Sequence, residues 1–425
     1  MSDLQDKAEK MAIKIPETTF EEINEQIKPV LRKMEQAGVR INVDYIKDLD
    51  QKLSLRLKEL EKDIYKATGV EFNIGSPIQM ADVLFDQLKL STLGLKKTKS
   101  GVSTAASELK KIEDTHPAIK LILEHRELSK LISTYLRPLP LLVDEDDRLH
   151  TTYGMETSTG RLSSSEPNLQ NIPIRGTYGS EIRNSFVAKP GMKLIAADYS
   201  QIELRIVACL APDRLMIESF QRGDDIHAKT ASEIFHVSLV EVTKEQRRVA
   251  KAVNFGIVYG QTSYGLSQAL DISPAEAGKY IKEYFESYSG ITKYINNMID
   301  LAHKDGYVET LFGMKRYLPE INSSNRYLAE SEERMAINTP VQGTASEILK
   351  LAMIKLDGKL DEISRKSGKT ARMLLTVHDE LVIEASTEIA EEVASVTKET
   401  MENVIKICVP IEVSIGIGDT WDEAK

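Results

Sequence analysis

The sequence predicts an α+β fold with a separate helical lobe, on three observations. Helical periodicity fills the region from Tyr45 to about Tyr135. Short extended pieces and turn residues replace it between Asp144 and Ser200. Apolar, strand-like runs then return at Leu374–Ala385 and Val409–Gly418, beyond a largely helical stretch from about Leu215 to Asn338. Strand groups on both sides of a helical insertion imply one α+β domain assembled from distant segments.

In the first block, Ile46, Leu49, Leu53, Leu57, Leu60 and Ile64 recur at spacings of three and four, the pattern of one long amphipathic helix. The stretch "RPLP" at Arg137–Pro140 stops the helical pattern. From Gln87 to Ser107 there is no acid, but there are Lys89, Lys96, Lys97 and Lys99. With its Gly and Ser residues this is either a solvated loop or one suited to phosphate contact.

The segment "KLIAADYSQIELR" (Lys193–Arg205) begins as a short buried strand, Leu194–Ala197, and continues as a helix. Ser200 and Glu203 have the spacing of a capping box. Asp198 closes the strand, and a rigid strand end is a good mount for a metal-binding carboxylate.

The segment "TKEQRRVAKAVNFGIVYG" (Thr243–Gly260) reads as a helix with a second capping box, Thr243 and Gln246. Arg247, Lys251, Phe255 and Tyr259 fall on one face, because residues four apart drift by only about 40°. Val249, Ala250, Val253 and Ile257 form the opposite, core-facing stripe. Two cations followed by two rings match the layout of a nucleoside triphosphate: cations clamp phosphates and rings stack on a base or sugar.

The third segment, "LLTVHDELVIEA" (Leu374–Ala385), is a hairpin whose tight turn is expected to expose Asp379. Asp198 and Asp379 can then meet at neighbouring strand ends. Their repulsion, about 4 kcal/mol at ~4 Å in an intermediate dielectric, is relieved by divalent cations. Two such ions are a general device for in-line phosphoryl transfer.

Other patterns narrow the choice. There is no Walker A motif and no GxGxxG, so a triphosphate must be held by side chains and metals. There is no CxxC or HExxH, so zinc is not expected. The net charge of −10 argues weakly against a nucleic-acid partner, although binding depends on local basic surface. Cys209 and Cys408 lie in apolar surroundings and read as the buried, reduced thiols of a cytosolic protein. No apolar run is long enough for a membrane span, and the N-terminus has no signal-peptide pattern.

"DYSQIELR", "RRVAKAVNFGIVYG" and "VHDEL", in that order, resemble the three polymerase motifs of family A DNA polymerases, the bacterial DNA polymerase I family. "TSTGRLSSSEPNLQNIP", "NTPVQGTASEILK" and the ending "GIGDTW" resemble it too. The resemblance covers roughly residues 20–425. It implies a right-hand fold: an N-terminal segment at 1–44 packing on the palm, a helical thumb at 45–138, palm at 139–216 and 340–425, and helical fingers at 217–339. The implied reaction is attack of a primer 3′-hydroxyl on the α-phosphate of a dNTP, on primer–template DNA. Two Mg²⁺ ions, replaceable by Mn²⁺, are implied at Asp198, Asp379 and the Tyr199 carbonyl.

By the same resemblance, Arg247, Lys251 and His227 contact the triphosphate, and Lys251 can protonate the pyrophosphate. Phe255 packs on the nucleotide, Tyr259 sits beside the templating position, and Gln201 joins the nucleotide site. Glu203 excludes a ribose 2′-hydroxyl. Arg161, Gln342, Asn338, Arg334 and His378 face the DNA near the primer end; Lys96, Lys97 and Lys99, from the acid-free stretch read above, are added as nucleic-acid contacts on composition alone. Glu380 lies near the metals in a supporting position.

Fewer than about 30 residues precede the recognisable region, so neither a 3′–5′ exonuclease nor a 5′-nuclease domain is expected. A monomer is expected, in the cytoplasm of a bacterium or phage-infected cell and associated with the nucleoid in use. The alternatives are a polymerase acting chiefly on RNA templates, a catalytically dead nucleic-acid-binding scaffold and a single-subunit RNA polymerase. Retention of Asp198, Asp379, Arg247 and Lys251 opposes the second, and Glu203 opposes the third.

Overall fold

The computed structural model describes residues 17–99, 101–173 and 178–425. The chain divides into two compact units, one formed by Met1–Val39, His150–Ile174 and Val187–Lys425 and the other by Arg40–Leu149 and Arg175–Phe186.

The first unit is built around a four-stranded antiparallel sheet and a long helix. In chain order its main elements are α1 (Phe20–Ala37), β1 (Met192–Tyr199), α2 (Ile202–Leu210), α3 (Ile226–Phe235), α4 (Lys244–Val258), α5 (Arg326–Ser367), β2 (Ala371–Val377), β3 (Glu380–Ser386), α6 (Ala390–Glu402) and β4 (Val413–Gly418). The strand order is β2-β3-β1-β4. One strand from the earlier segment is therefore inserted among three from the later one, so distant segments share one sheet as the sequence pattern predicts.

Cross-strand register fixes what each face carries. Ala197 lies opposite Leu381 and Ile415, and Ile195 opposite Ile383 and Ile417. Ile195, Ala197, Leu381 and Ile383 are fully buried in a core shared with α2, α5 and α6. The next positions, Asp198, Glu380 and Ser414, share the other face. That face is closed by the last turn of the chain. A Cβ at Gly416 would collide with the Ala424 carbonyl, which is why glycine stands there.

α5 has 42 residues and runs unbroken across the 339/340 boundary, with Pro340 inside it. α1 starts at a capping box of Thr19 and Glu22 and buries Ile23, Ile27, Val30, Leu31 and Met34. It packs on α5 and β2. Lys33 joins α1 to α5 through Asp357 and Asp361, both at 2.7 Å.

The second unit is mostly helical. The long helix predicted from the leucine spacing is Val43–Thr68, capped by Asn42, and it packs on Pro117–Leu131. Arg56 grips Glu124 with Nε at 2.9 Å and Nη2 at 3.1 Å. In the same unit, a short hairpin pairs Lys97–Thr98 with Gly101–Val102 and leaves Lys96, Lys97 and Lys99 exposed. Among the described residues no helix is long and apolar enough to cross a membrane.

The expectation of two free thiols is overturned: Cys209, at the end of α2, is disulfide-bonded to Cys408 in the segment before β4. The sequence neighbourhoods were read correctly as apolar, but packing of α2 against that segment brings the two Cα atoms to 5.6 Å, inside bridging range. The bridge encloses α3, α4, α5, β2, β3 and α6, a loop spanning 199 positions. Long loops lose the most chain entropy on closure, so C209S/C408S, or reduction of the wild type, is expected to cost about 2–5 kcal/mol of unfolding free energy. Identical urea midpoints with and without reductant would exclude this contribution.

Candidate active site

The site starts from two chain reversals. β1 ends at Tyr199, and β2 turns into β3 through His378 and Asp379, with His378 in the left-handed region at φ 55°. The Tyr199 N–H donates to the Asp379 carbonyl at 3.2 Å, which pins the hairpin turn to the end of β1. Asp198 is thereby set opposite Glu380, with Asp379 next to it in the turn. The Tyr199 side chain leaves the site, its hydroxyl donating to the Met401 carbonyl at 2.9 Å.

The turn differs in one respect from the expectation. His378 is its exposed residue, and Asp379 is half buried. Burial, followed by the negative charge of Glu203, pushes the Asp379 carboxyl up to about 6, while Arg161 opposes the rise.

Glu203 also departs from the expected capping box. The N-cap of α2 is Gln201, in the left-handed conformation at φ 50° and without a side-chain cap. Ser200 instead pairs its hydroxyl with that of Ser414 at 3.1 Å. The Glu203 carboxylate is buried and takes two other donors, Arg161 Nη2 at 2.5 Å and the Tyr259 hydroxyl at 2.8 Å. A cap would have pointed it back along its own helix. The ion pair with Arg161 is stronger than a neutral cap bond and draws it across the site.

Glu380 is 3% exposed. It accepts from Trp421 Nε1 and from Lys425 Nζ, the latter at 3.2 Å. Neither partner could be named from the sequence, because both lie beyond β4 and meet Glu380 only when the last turn closes over the sheet.

The predicted cation-and-ring face is present on α4. The Thr243–Gln246 capping box forms as read. Val249, Ala250, Val253 and Ile257 are buried, while Arg247 and Tyr259 are exposed and Lys251 and Phe255 half buried. The Phe255 and Tyr259 rings stack at 6.1 Å, and His227 from α3 comes within 5.7 Å of Phe255. Burial lowers the His227 imidazole to about 4, with Lys251 and Arg247 adding to the effect of burial and Asp225 opposing it. The ring is therefore neutral at pH 7. Its Nδ1 meets Asn254 Nδ2 at 3.1 Å. Asp225 and Asn254 are the residues that motif reading missed. "DDIH" shows an N-cap pattern, but its link to Arg247 crosses two helices.

A stripe on α5 completes the surroundings. Arg334, Asn338, Gln342, Ser346 and Lys350 are successive i, i+4 positions. Arg334 packs so closely on Gly260, at φ 63°, that a Cβ there would stand 2.9 Å from its Cγ. The Asn338 side-chain oxygen is buried without a hydrogen-bond partner. Ser346 and Lys350 line a cavity of about 50 Å³ together with Arg161, Gln170, His378 and Asp379. Lys96, Lys97 and Lys99 belong to the other unit.

Strand-end acids from two distant segments thus lie in the same unit as a helix that carries two cations and two rings. Residues 43–423 match the sequence model of DNA polymerase family A, and the chain belongs to that family. It is 48% identical over 408 residues to DNA polymerase I of Deinococcus radiodurans, covering 96% of this chain and 42% of that protein. It is 45% identical to the thermostable DNA polymerase I of Thermus aquaticus, covering 96% of this chain and 48% of that one. The chain thus spans less than half the length of these relatives. The POL domain of Pol1 from M. smegmatis, solved in complex with DNA primer-template and dNTP, superposes with a TM-score of 0.89 at 41% identity, covering 94% of this chain and 70% of that chain. This is the right-hand polymerase fold.

The sign of the Asp379 shift gives a test. An acid whose folded value lies above its unfolded one is harmless at low pH and destabilises the fold progressively as pH rises toward the folded value. In chelator, D379N is therefore expected to be more stable than wild type at pH 7–8, with the gain fading as pH falls toward 4. A melting-temperature difference independent of pH would contradict the shift.

Proposed function

We propose that this chain catalyses template-directed addition of dNTPs to a primer 3′ end. The observation that carries the reading is the hydrogen bond from Tyr199 N–H to the Asp379 carbonyl, which brings two acids distant in sequence to one strand-end site. Membership of family A and the likeness to a POL domain solved with primer-template and dNTP support it.

The residues fit a pair of hard divalent cations. Asp198 and Asp379 are carboxylates, and burial together with Glu203 raises the cost of ionising Asp379. Among the described residues no three His, Cys, Asp or Glu side chains form a ready cage. That suits Mg²⁺, which keeps several waters and is bound through one or two carboxylates plus substrate phosphates. Asp198, Asp379 and the Tyr199 carbonyl would hold the ions, with Mn²⁺ as a substitute. Bound there, the ions supply activation of the primer hydroxyl and neutralisation of the triphosphate.

The protein's own groups account for binding and orientation. Arg247, Lys251 and His227 hold the triphosphate. A neutral His227 donates an N–H without adding charge, so Arg247 and Lys251 carry the electrostatic attraction. As the 3′-oxygen attacks the α-phosphate, pyrophosphate leaves, and Lys251 can give it a proton. Phe255 packs on the nucleotide and Tyr259 stands by the template base. Arg161, Arg334, Asn338, Gln342 and His378 face the primer–template duplex, Gln201 borders the nucleotide, and Glu380 steadies Asp198 from across the sheet. Lys96, Lys97 and Lys99 serve as phosphate contacts on the second unit.

Glu203 is the sugar gate. Its carboxylate is held rigidly from both sides by Arg161 and Tyr259, so it cannot swing away from an added hydroxyl.

Two measurements test the reading. D198A is expected to lower primer extension by at least about 10³-fold while leaving primer–template affinity within ~3-fold, because the acid acts on transition-state charge; near-normal turnover would defeat the assignment. E203A is expected to raise the rNTP/dNTP incorporation ratio by about 10-fold or more, since a clash rather than a lost bond sets the discrimination. An unchanged ratio would remove the gate.

A further inference from the structure

We propose that Asp225 is the positioning residue of the triphosphate cradle, a single carboxylate that orients both Arg247 and His227 toward phosphate. The proposal rests on the reading above, in which those two side chains grip the nucleotide.

Asp225 is the N-cap of α3. Its Oδ1 accepts the backbone N–H groups of His227 at 2.9 Å and Ala228 at 3.2 Å. Its Oδ2 accepts Arg247 Nε at 2.6 Å. One oxygen thus fixes the first turn of the helix that carries His227, and the other fixes a side chain on α4. The two helices are joined at the point where their phosphate-facing groups begin.

The chemistry of the contact favours orientation over blockade. Asp225 engages Arg247 through Nε. The pair of terminal amino nitrogens is the edge that grips two phosphate oxygens. A carboxylate on Nε therefore turns the guanidinium plane and leaves the phosphate-binding edge to the ligand. Burial would push the Asp225 carboxyl up, but Arg247 and the two backbone donors outweigh it and hold the group below the usual carboxylate range. It stays ionised through the neutral range and keeps its grip.

His227 depends on the same residue in a different way. Its ring is 2% exposed, wedged between Asn254 and Phe255. It has little freedom of its own, so the backbone at the helix start sets its direction. Asp225 holds that backbone.

The opposite role, an internal anion that competes with phosphate for Arg247, makes the opposite prediction. The probe is inorganic tripolyphosphate, titrated calorimetrically into the apo protein without metal. D225N and D225S both retain an N-cap acceptor, so the start of α3 and the thermal midpoint should survive. Neither supplies the charge that orients Arg247. Both are expected to weaken tripolyphosphate binding by about 10-fold and to raise the dNTP KM similarly, with a smaller change in kcat. In an R247A background D225N should add little, because the two residues act as one unit. Unchanged or tighter binding in D225N, or an equal loss in the R247A background, overturns the positioning role. If R247A alone leaves both tripolyphosphate affinity and extension intact, the cradle itself is wrong, a failure distinct from that of Asp225.

Discussion

Concentrated negative charge at the end of one sheet is the constraint on which the rest of the first unit depends. Asp198 and Glu203 come from one chain segment and Asp379 and Glu380 from another, and they gather where β1 and the hairpin turn meet. Two unit charges ~4 Å apart repel by about 4 kcal/mol at an effective dielectric of 20, a large fraction of a domain's net stability. Each acid is accommodated differently. Glu203 takes Arg161 and Tyr259, Glu380 takes Lys425 and Trp421, Asp379 holds its proton more tightly, and Asp198 remains exposed. Asp198 and Asp379 are the two acids for which metal binding is proposed.

The surrounding elements follow from that division. Arg161 must reach in from the segment before β1, Tyr259 from the end of α4 and Lys425 from the last turn, so three remote parts of the sequence are drawn to one sheet edge. The same contacts make α4 a continuation of the site: its ring end touches Glu203 and its cation end touches Asp225. A nucleotide bridging the two would lie along a helix already anchored at both ends.

Local pattern revealed much of this. The buried stripe of α4, its capping box and the hairpin at Leu374–Ala385 are properties of short windows and could be read directly. Contacts between windows were not legible. Ser200 and Glu203 had the right spacing for a cap, but Ser414 and Arg161 offered better partners that only the tertiary fold supplies. The cysteines looked like buried thiols for the same reason: apolar surroundings are local, and the opposing sulfur is not. Asp225 and Trp421 carried no catalytic signature at all, because their effect passes through other residues.

The polar stripe of α5 has a consequence for how such chains can vary. Arg334, Asn338, Gln342, Ser346 and Lys350 form a row that winds about 40° round the helix at each step, and it keeps its course only through an unbroken helical count. One inserted or deleted residue among them would turn everything beyond it by about 100° and carry Ser346 and Lys350 away from the cavity beside Asp379. Point substitutions can accumulate along this helix, but its length cannot drift. Across descendants, α5 should act as a ruler of fixed pitch, with insertions and deletions confined to the loops that feed it.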